Sequence, residues 1–134
     1  MISYPAVVVH GLAQARMAVA SGRPVCLLSA PGAAIFAGCL WWRGLVEAVR
    51  TNDVRDILDC GDAPGRAMAA LRIGQMWLVL DPAFPAFATV RSAAETLGAR
   101  VIEHRPPALD LSERGAARML DTWLAHRDTG RALG

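Results

Sequence analysis

The sequence predicts a doubly wound α/β domain, a mostly parallel five-stranded sheet in a three-layer α/β/α sandwich, and three observations carry that prediction. Short apolar runs of strand length alternate with Ala-rich stretches of helical periodicity along the chain. The tripeptide Ala30-Pro31-Gly32 recurs as Ala63-Pro64-Gly65 thirty-three residues later, each time between an apolar run and a helical pattern. That distance is close to one βα unit with its loop. No linker, low-complexity segment or charge run divides the 134 residues, so one domain spanning 1–134 is expected.

The elements follow in order. AVVVH at 6–10 reads as a first strand, and GLAQARMAVASG as a helix closed by Gly22. PVCLLS, ending at Ser29, is a continuous apolar run and a second strand. A helix is expected from about 32 to 50. Its first half is apolar all round and therefore expected to be buried, while Leu45, Val46 and Val49 alternate with Arg43, Glu47 and Arg50 in its second half. DILDC at 56–60 gives a third strand, leading into a helix PGRAMAALRIG with Pro64 at its start and Gly74 past its end. MWLVLD at 76–81 is the fourth strand. Phe87, Val90, Ala94 and Leu97 recur at helical spacing up to Gly98, and RVIEH at 100–104 gives a fifth strand with the polarity of an edge. A last helix follows PPALDLSE, with Ala116, Leu120, Trp123 and Leu124 on one stripe and Arg114, Arg118, Asp121 and Arg127 elsewhere; Asp110 or Ser112 is its expected N-cap. Five βα repeats with short, right-handed connections describe a flavodoxin-like or Rossmann-like arrangement.

The stretch VCLLSAPGAAIFAGCLWW, residues 25–42, raises a competing possibility, because it carries no charge and Arg23 and Arg43 stand just outside it. Length and the terminal Trp pair suit a membrane helix. Pro31 in its middle removes a backbone hydrogen bond and clashes with the preceding turn, whereas the same Pro fits the first turn of a new helix after a strand. No membrane association is expected. Composition narrows the function classes further. The chain is 54% hydrophobic but only 6% aromatic, so its core is built from Ala, Val, Leu and Ile, with apolar surface left over for a partner. All fourteen basic residues are Arg, which excludes lysine Schiff-base chemistry and any phosphate loop that needs a Lys. A formal charge of +2, with the arginines scattered, argues against nucleic acid. Cys26, Cys39 and Cys60 are odd in number without C-x-x-C spacing, as suits reduced thiols in the cytoplasm. The N-terminal segment lacks a basic n-region, and Pro5 and His10 break its apolar run, so no signal peptide is expected.

Ligands of open parallel sheets bind beyond the C-terminal ends of the strands, near a reversal of strand order. Those ends carry His10, Ser29, Cys60 with Asp62, Asp81, and Glu103 with His104. Gly32 and Gly65 lie near helix starts, where a ligand can approach free N–H groups and the helix dipole favours an anion. His10, Ser29, Gly32, Asp62, Gly65 and Asp81 are accordingly the candidate ligand-binding residues, for a small anionic ligand such as a phosphate or carboxylate. The same residue types also cap helices and shape tight turns, and that structural reading stands beside the functional one. The separations of His10, Asp62 and Asp81 match no metal signature, and no cofactor is named by any motif. Trp41 and Trp42 are about 100° apart on a helix, so they point in different directions. With Gly38 and Gly44 permitting close approach, the 32–45 segment is a candidate for homo-oligomer formation.

The segment CGDAPGR, residues 60–66, resembles the active-site loop of cysteine phosphatases and, more loosely, of rhodaneses. That resemblance implies a thiolate nucleophile at Cys60, loop N–H groups around an oxyanion, and Arg66 as its clamp. The loop departs from the phosphatase pattern at Asp59, Asp62, Pro64 and Ala67, where that family has a His, no acid, an N–H donor and a hydroxyl. Asp59 on the third strand also resembles the acceptor of a phospho-receiver domain, although the acidic pair after the first strand and the Lys after the fifth are missing. The sequence therefore points to a small-ligand-binding or regulatory module. A cysteine-dependent phosphatase- or rhodanese-like enzyme using Cys60 and Arg66 is one alternative, and a non-catalytic protein-interaction module is another.

Overall fold

Glycine and proline punctuation divides the chain where the alternating pattern requires it, and the computed structural model describes residues 3–125. Among these the elements are β1 (Ala6–Val8), α1 (Leu12–Val19), β2 (Val25–Leu28), α2 (Ala33–Phe36), α3 (Cys39–Val49), β3 (Val54–Asp59), α4 (Pro64–Arg72), β4 (Trp77–Val79), α5 (Ala86–Thr96), β5 (Arg100–Ile102), β6 (Ala108–Asp110) and α6 (Ala116–Ala125). The fold is α/β, with parallel strands flanked by helices in the strand order β5-β4-β3-β2-β1-β6. Arg127 lies outside the described residues. No described helix is long and apolar enough to cross a membrane, because the 25–42 stretch is β2, a turn, α2 and the start of α3.

The chain divides into two compact units. In the first, which among the described residues takes in 3–28, 45–55 and 106–125, β1 pairs in parallel with β2 and with β6, so that Val8 stands opposite both Leu28 and Asp110. β1 and β2 are buried along their whole length, as continuous apolar runs in a parallel sheet must be. α1 packs on β2 through Ala15 and Ala18, which let the backbones come close. α6 packs on β6, burying Ala116, Leu120 and Leu124, and the Trp123 indole donates a 2.8 Å hydrogen bond to the Ala6 carbonyl. In the second unit, residues 29–44 and 56–105, β3, β4 and β5 pair in parallel. There α4 packs against α5 and α5 against β5, with Ala67, Ala70, Leu71, Phe87, Val90 and Ala94 buried. β5 ends the strand order, as its polarity predicts.

Three features depart from the sequence reading. A sixth strand, β6, occupies Ala108–Asp110, where only a connection to the last helix was expected. It is three residues long and follows Pro106 and Pro107, which lack N–H donors and are tolerated at the start of an edge strand. Asp110 therefore belongs to a strand, and neither it nor Ser112 caps α6, which begins at Ala116. The helix expected over 32–50 is two helices, because Gly38 at φ +91 ends α2 in a left-handed turn and offers its carbonyl to Trp42 N–H at the start of α3. Nor is its apolar first half buried as a whole. Ala33 and Ala34 are, whereas Ile35, Phe36, Leu40 and Trp41 reach solvent.

Trp42 turns inward while Trp41 remains part-exposed, the divergence their adjacent positions require. The Trp42 indole donates to Asp56 Oδ2 at 2.9 Å, Gln75 Nε2 donates to the same oxygen at 2.8 Å and to the Trp77 carbonyl at 2.9 Å, and Arg43 Nη2 donates to Gln75 Oε1 at 2.9 Å. These buried polar groups satisfy one another. Trp42→Phe removes a donor from a buried carboxylate and opens a cavity, and is expected to cost about 2–4 kcal/mol in urea denaturation. Trp41→Phe, at a part-exposed site, is expected to change stability by about 0.5 kcal/mol in the same measurement.

Candidate functional site

The end of β3 places Asp59 in the second unit with its side chain only 5% exposed, and three segments supply its donors. Gly32 N–H donates to Asp59 Oδ1 at 3.0 Å, Gly61 N–H to the same oxygen at 2.7 Å, and Arg105 Nη1 to Oδ2 at 2.8 Å. Arg105 Nη1 also donates to the Ser29 carbonyl at 2.9 Å, while the Ser29 hydroxyl accepts the Asp59 N–H at 2.8 Å. Backbone N–H groups near a helix start do gather a negative charge here, but the charge belongs to the chain itself. Ser29 and Gly32 are both expected at a ligand site: Gly32 is instead bonded to this internal carboxylate, and Ser29 to the Asp59 N–H and to Arg105. Gly61 sits at φ +57, and a Cβ on it would lie 3.2 Å from Ile35 Cδ1 and 3.4 Å from Gly32 Cα, so any other residue would be strained there and would press on Ile35.

That geometry bears directly on the loop 60–66. Cys60 is fully buried, and burial, the adjacent Asp59 charge and the Cys39 thiol push its own thiol from 9.0 up to about 12. A nucleophilic cysteine needs the opposite shift. Arg66 is exposed on the first turn of α4, so the loop sends its sulfur inward and its guanidinium toward water. Gly61 N–H is already bonded to Asp59, and Ala63 N–H to the Cys60 carbonyl. The thiolate-and-clamp arrangement implied by the phosphatase resemblance is therefore not the one this loop adopts: desolvation and a neighbouring carboxylate hold the sulfur neutral. Asp62, Gly65 and Asp81 are exposed near the same strand ends, and Asp81 folds back to accept the Ala83 N–H at 2.9 Å. Glu103 and His104 are exposed after β5.

In the first unit the ends of β1 and β6 bring together a different set. His10 Nε2 and Asp110 Oδ1 are 2.8 Å apart, and the same Asp110 oxygen accepts the Ser112 N–H at 2.9 Å. Gln14, in the first turn of α1, accepts the His10 N–H on Oε1 at 2.8 Å and donates from Nε2 to the Ser112 hydroxyl at 3.3 Å. Each of these side chains reaches solvent. With Nε2 facing the carboxylate, Nδ1 is the imidazole nitrogen left for another molecule. No described side chain caps α1, and its first turn holds no acidic residue, so no side chain answers its leading N–H groups. β1 lies between its immediate successor β2 and the last strand β6, which makes this pair of strand ends the place where the strand order reverses.

Of the sequence candidates, His10 is thus joined by Asp110, Gln14 and Ser112, none of which the sequence singles out for a ligand. Recognising β6 would have found Asp110, since the register of β1 and β6 puts the two strand ends side by side. Among the described residues no three His, Cys, Asp or Glu side chains gather as a metal site requires. No protein-family model matches the chain, and no curated protein matches it in sequence.

Arg105→Met strands the Asp59 charge and is expected to lower the unfolding free energy by about 3 kcal/mol, at the low end for a buried pair because 26% of the Arg105 side chain meets water. The double variant with Asp59→Asn should recover part of that loss, as a double-mutant cycle in urea would show. For Cys60, the folded value exceeds the unfolded one, so the neutral thiol's contribution to stability is complete below pH 9.0 and falls as pH rises toward about 12. Denaturation curves at successive alkaline pH values should show that decline in the wild type and a shallower one in Cys60→Ala. Iodoacetamide at pH 8 should leave Cys60 unmodified until the protein is unfolded.

Proposed function

We propose that this chain is a small-ligand-binding module of the cytoplasm, with its site at the C-terminal ends of β1 and β6 and a small anion as its ligand. The observation that carries the reading is the solvent-reachable His10–Asp110 pair at the reversal of strand order. Open α/β sheets bind ligands there because loops leaving neighbouring strands part and leave a crevice. His10 and the Ser112 N–H answer the Asp110 charge, so the uncapped N-terminus of α1 is left to attract the anion. Gln14 links His10 to Ser112 and holds the two loops in register. With both ring nitrogens protonated, His10 donates from Nε2 to Asp110 and from Nδ1 to the anion, and three free cysteines suit a reducing compartment.

A thermal-shift screen with inorganic phosphate, nucleotides, sugar phosphates and small carboxylates tests this reading. A ligand of the site at about one hundred times its Kd is expected to add about 2.7 kcal/mol of stability. That shift should vanish in His10→Ala and weaken in Asp110→Asn. A melting temperature indifferent to the whole panel, or a shift that His10→Ala retains, would overturn the assignment.

A further inference from the structure

The hydrogen bonds around His10 commit most of its neighbours. Gln14 uses both ends of its amide, Oε1 on the His10 N–H and Nε2 on the Ser112 hydroxyl oxygen. The Ser112 N–H and His10 Nε2 meet on a single Asp110 oxygen, at 2.9 and 2.8 Å. An ionised carboxylate offers only lone pairs, so Nε2 must carry a hydrogen to stand at that distance. The protonation of the ring then decides what Nδ1 presents to solvent. It is an N–H donor in the imidazolium and a lone pair in the neutral ring that keeps its hydrogen on Nε2.

We infer that the site takes up an oxyanion and a proton together, so that anion binding and protonation of His10 are one linked event. The inference rests on the assignment of the anion site to the ends of β1 and β6. Between Asp110 and a bound anion, neither tautomer of a neutral imidazole serves: with hydrogen on Nε2 a lone pair faces the anion, and with hydrogen on Nδ1 a lone pair faces Asp110. Only the imidazolium donates to both. The other groups around the ring leave this choice to Asp110. Gln14 on α1 is neutral, β2 beside β1 is the uncharged run Val25–Leu28, and in the turn after β6 the exposed Glu113 is followed by the exposed Arg114. Imidazole is the side chain that exchanges its proton between about pH 5 and about pH 8, so the site would hold its anion in neutral to mildly acidic solution and release it as pH rises. By reciprocity the anion favours the proton by the same factor as the proton favours the anion.

Isothermal titration calorimetry with sulfate and with acetate, whose charges are constant above about pH 6, tests the linkage. For the wild type the Kd is expected to rise about tenfold per pH unit above the imidazole range. At about pH 8 the heat should vary with the ionisation enthalpy of the buffer, in the proportion of about one proton taken up per anion bound. Asp110→Ala opens Nε2 to water, so a neutral His10 can carry its hydrogen on Nδ1 and still donate to the anion. Its pH profile should flatten to the few-fold effect of an exposed charge. His10→Gln, which cannot titrate, should bind weakly and take up no proton. Wild-type binding that is lost in His10→Ala yet keeps one Kd from about pH 6 to about pH 8.5 overturns the linkage and leaves the anion site standing. So does a steep profile that Asp110→Ala reproduces. Failure of both probes to bind at any pH, or binding that His10→Ala retains, overturns the site and the linkage with it.

Discussion

Asp59 is buried at the end of β3, and a carboxylate in that position must be answered by donors or carry the full cost of desolvation. Its donors come from the loop after β2, from the turn after β3 itself, and from Arg105 beyond β5. Each of those segments is held in place by this one group. Two glycines are tied to it by their N–H groups, both in a left-handed conformation that other residues reach only with strain. The neighbouring thiol of Cys60 is kept neutral partly by its charge. What looks in sequence like a loop waiting for an external anion is, in the fold, a loop closed around an internal one.

The two clusters of polar residues at strand ends consequently differ in kind. Around Asp59 the donors are satisfied within the chain and water is largely excluded. Around His10 the hydrogen bonds orient the groups, yet each side chain still meets solvent, and an imidazole nitrogen and the start of a helix remain available. Saturated polar networks fix structure, whereas oriented but open ones can take a ligand. That difference moves the candidate site away from the CGDAPGR loop, where the most suggestive short motif lies, to a pair of strands whose sequence is plain.

Periodicity made most of the architecture legible, because buried parallel strands such as 25–28 are uninterrupted apolar runs and helices such as 116–125 bury one stripe of three residues in ten. β6 was not legible: three residues after a Pro pair are too few for any period to register, and only pairing with β1 makes them a strand. The role of Asp59 was equally hidden, since its partners lie 27 and 46 residues away in sequence. Exposure of Phe36 and Leu40 contradicts the local pattern, because an apolar run looks the same whether the chain buries it or presents it. Hydrophobicity reports what a residue prefers, and the fold decides how many such preferences can be met at once.

α2 consists of a single turn of four residues, too short to pay the cost of helix nucleation from its own hydrogen bonds. It is anchored from outside, by the Gly32 N–H on Asp59 and by Ile35 lying over Gly61. Opening this turn and releasing the buried carboxylate are therefore parts of one cooperative event. Amide exchange in 32–36 then reports the integrity of the Asp59 cluster, and the shape of the surface carrying Phe36 is set by electrostatics beneath it rather than by helix propensity.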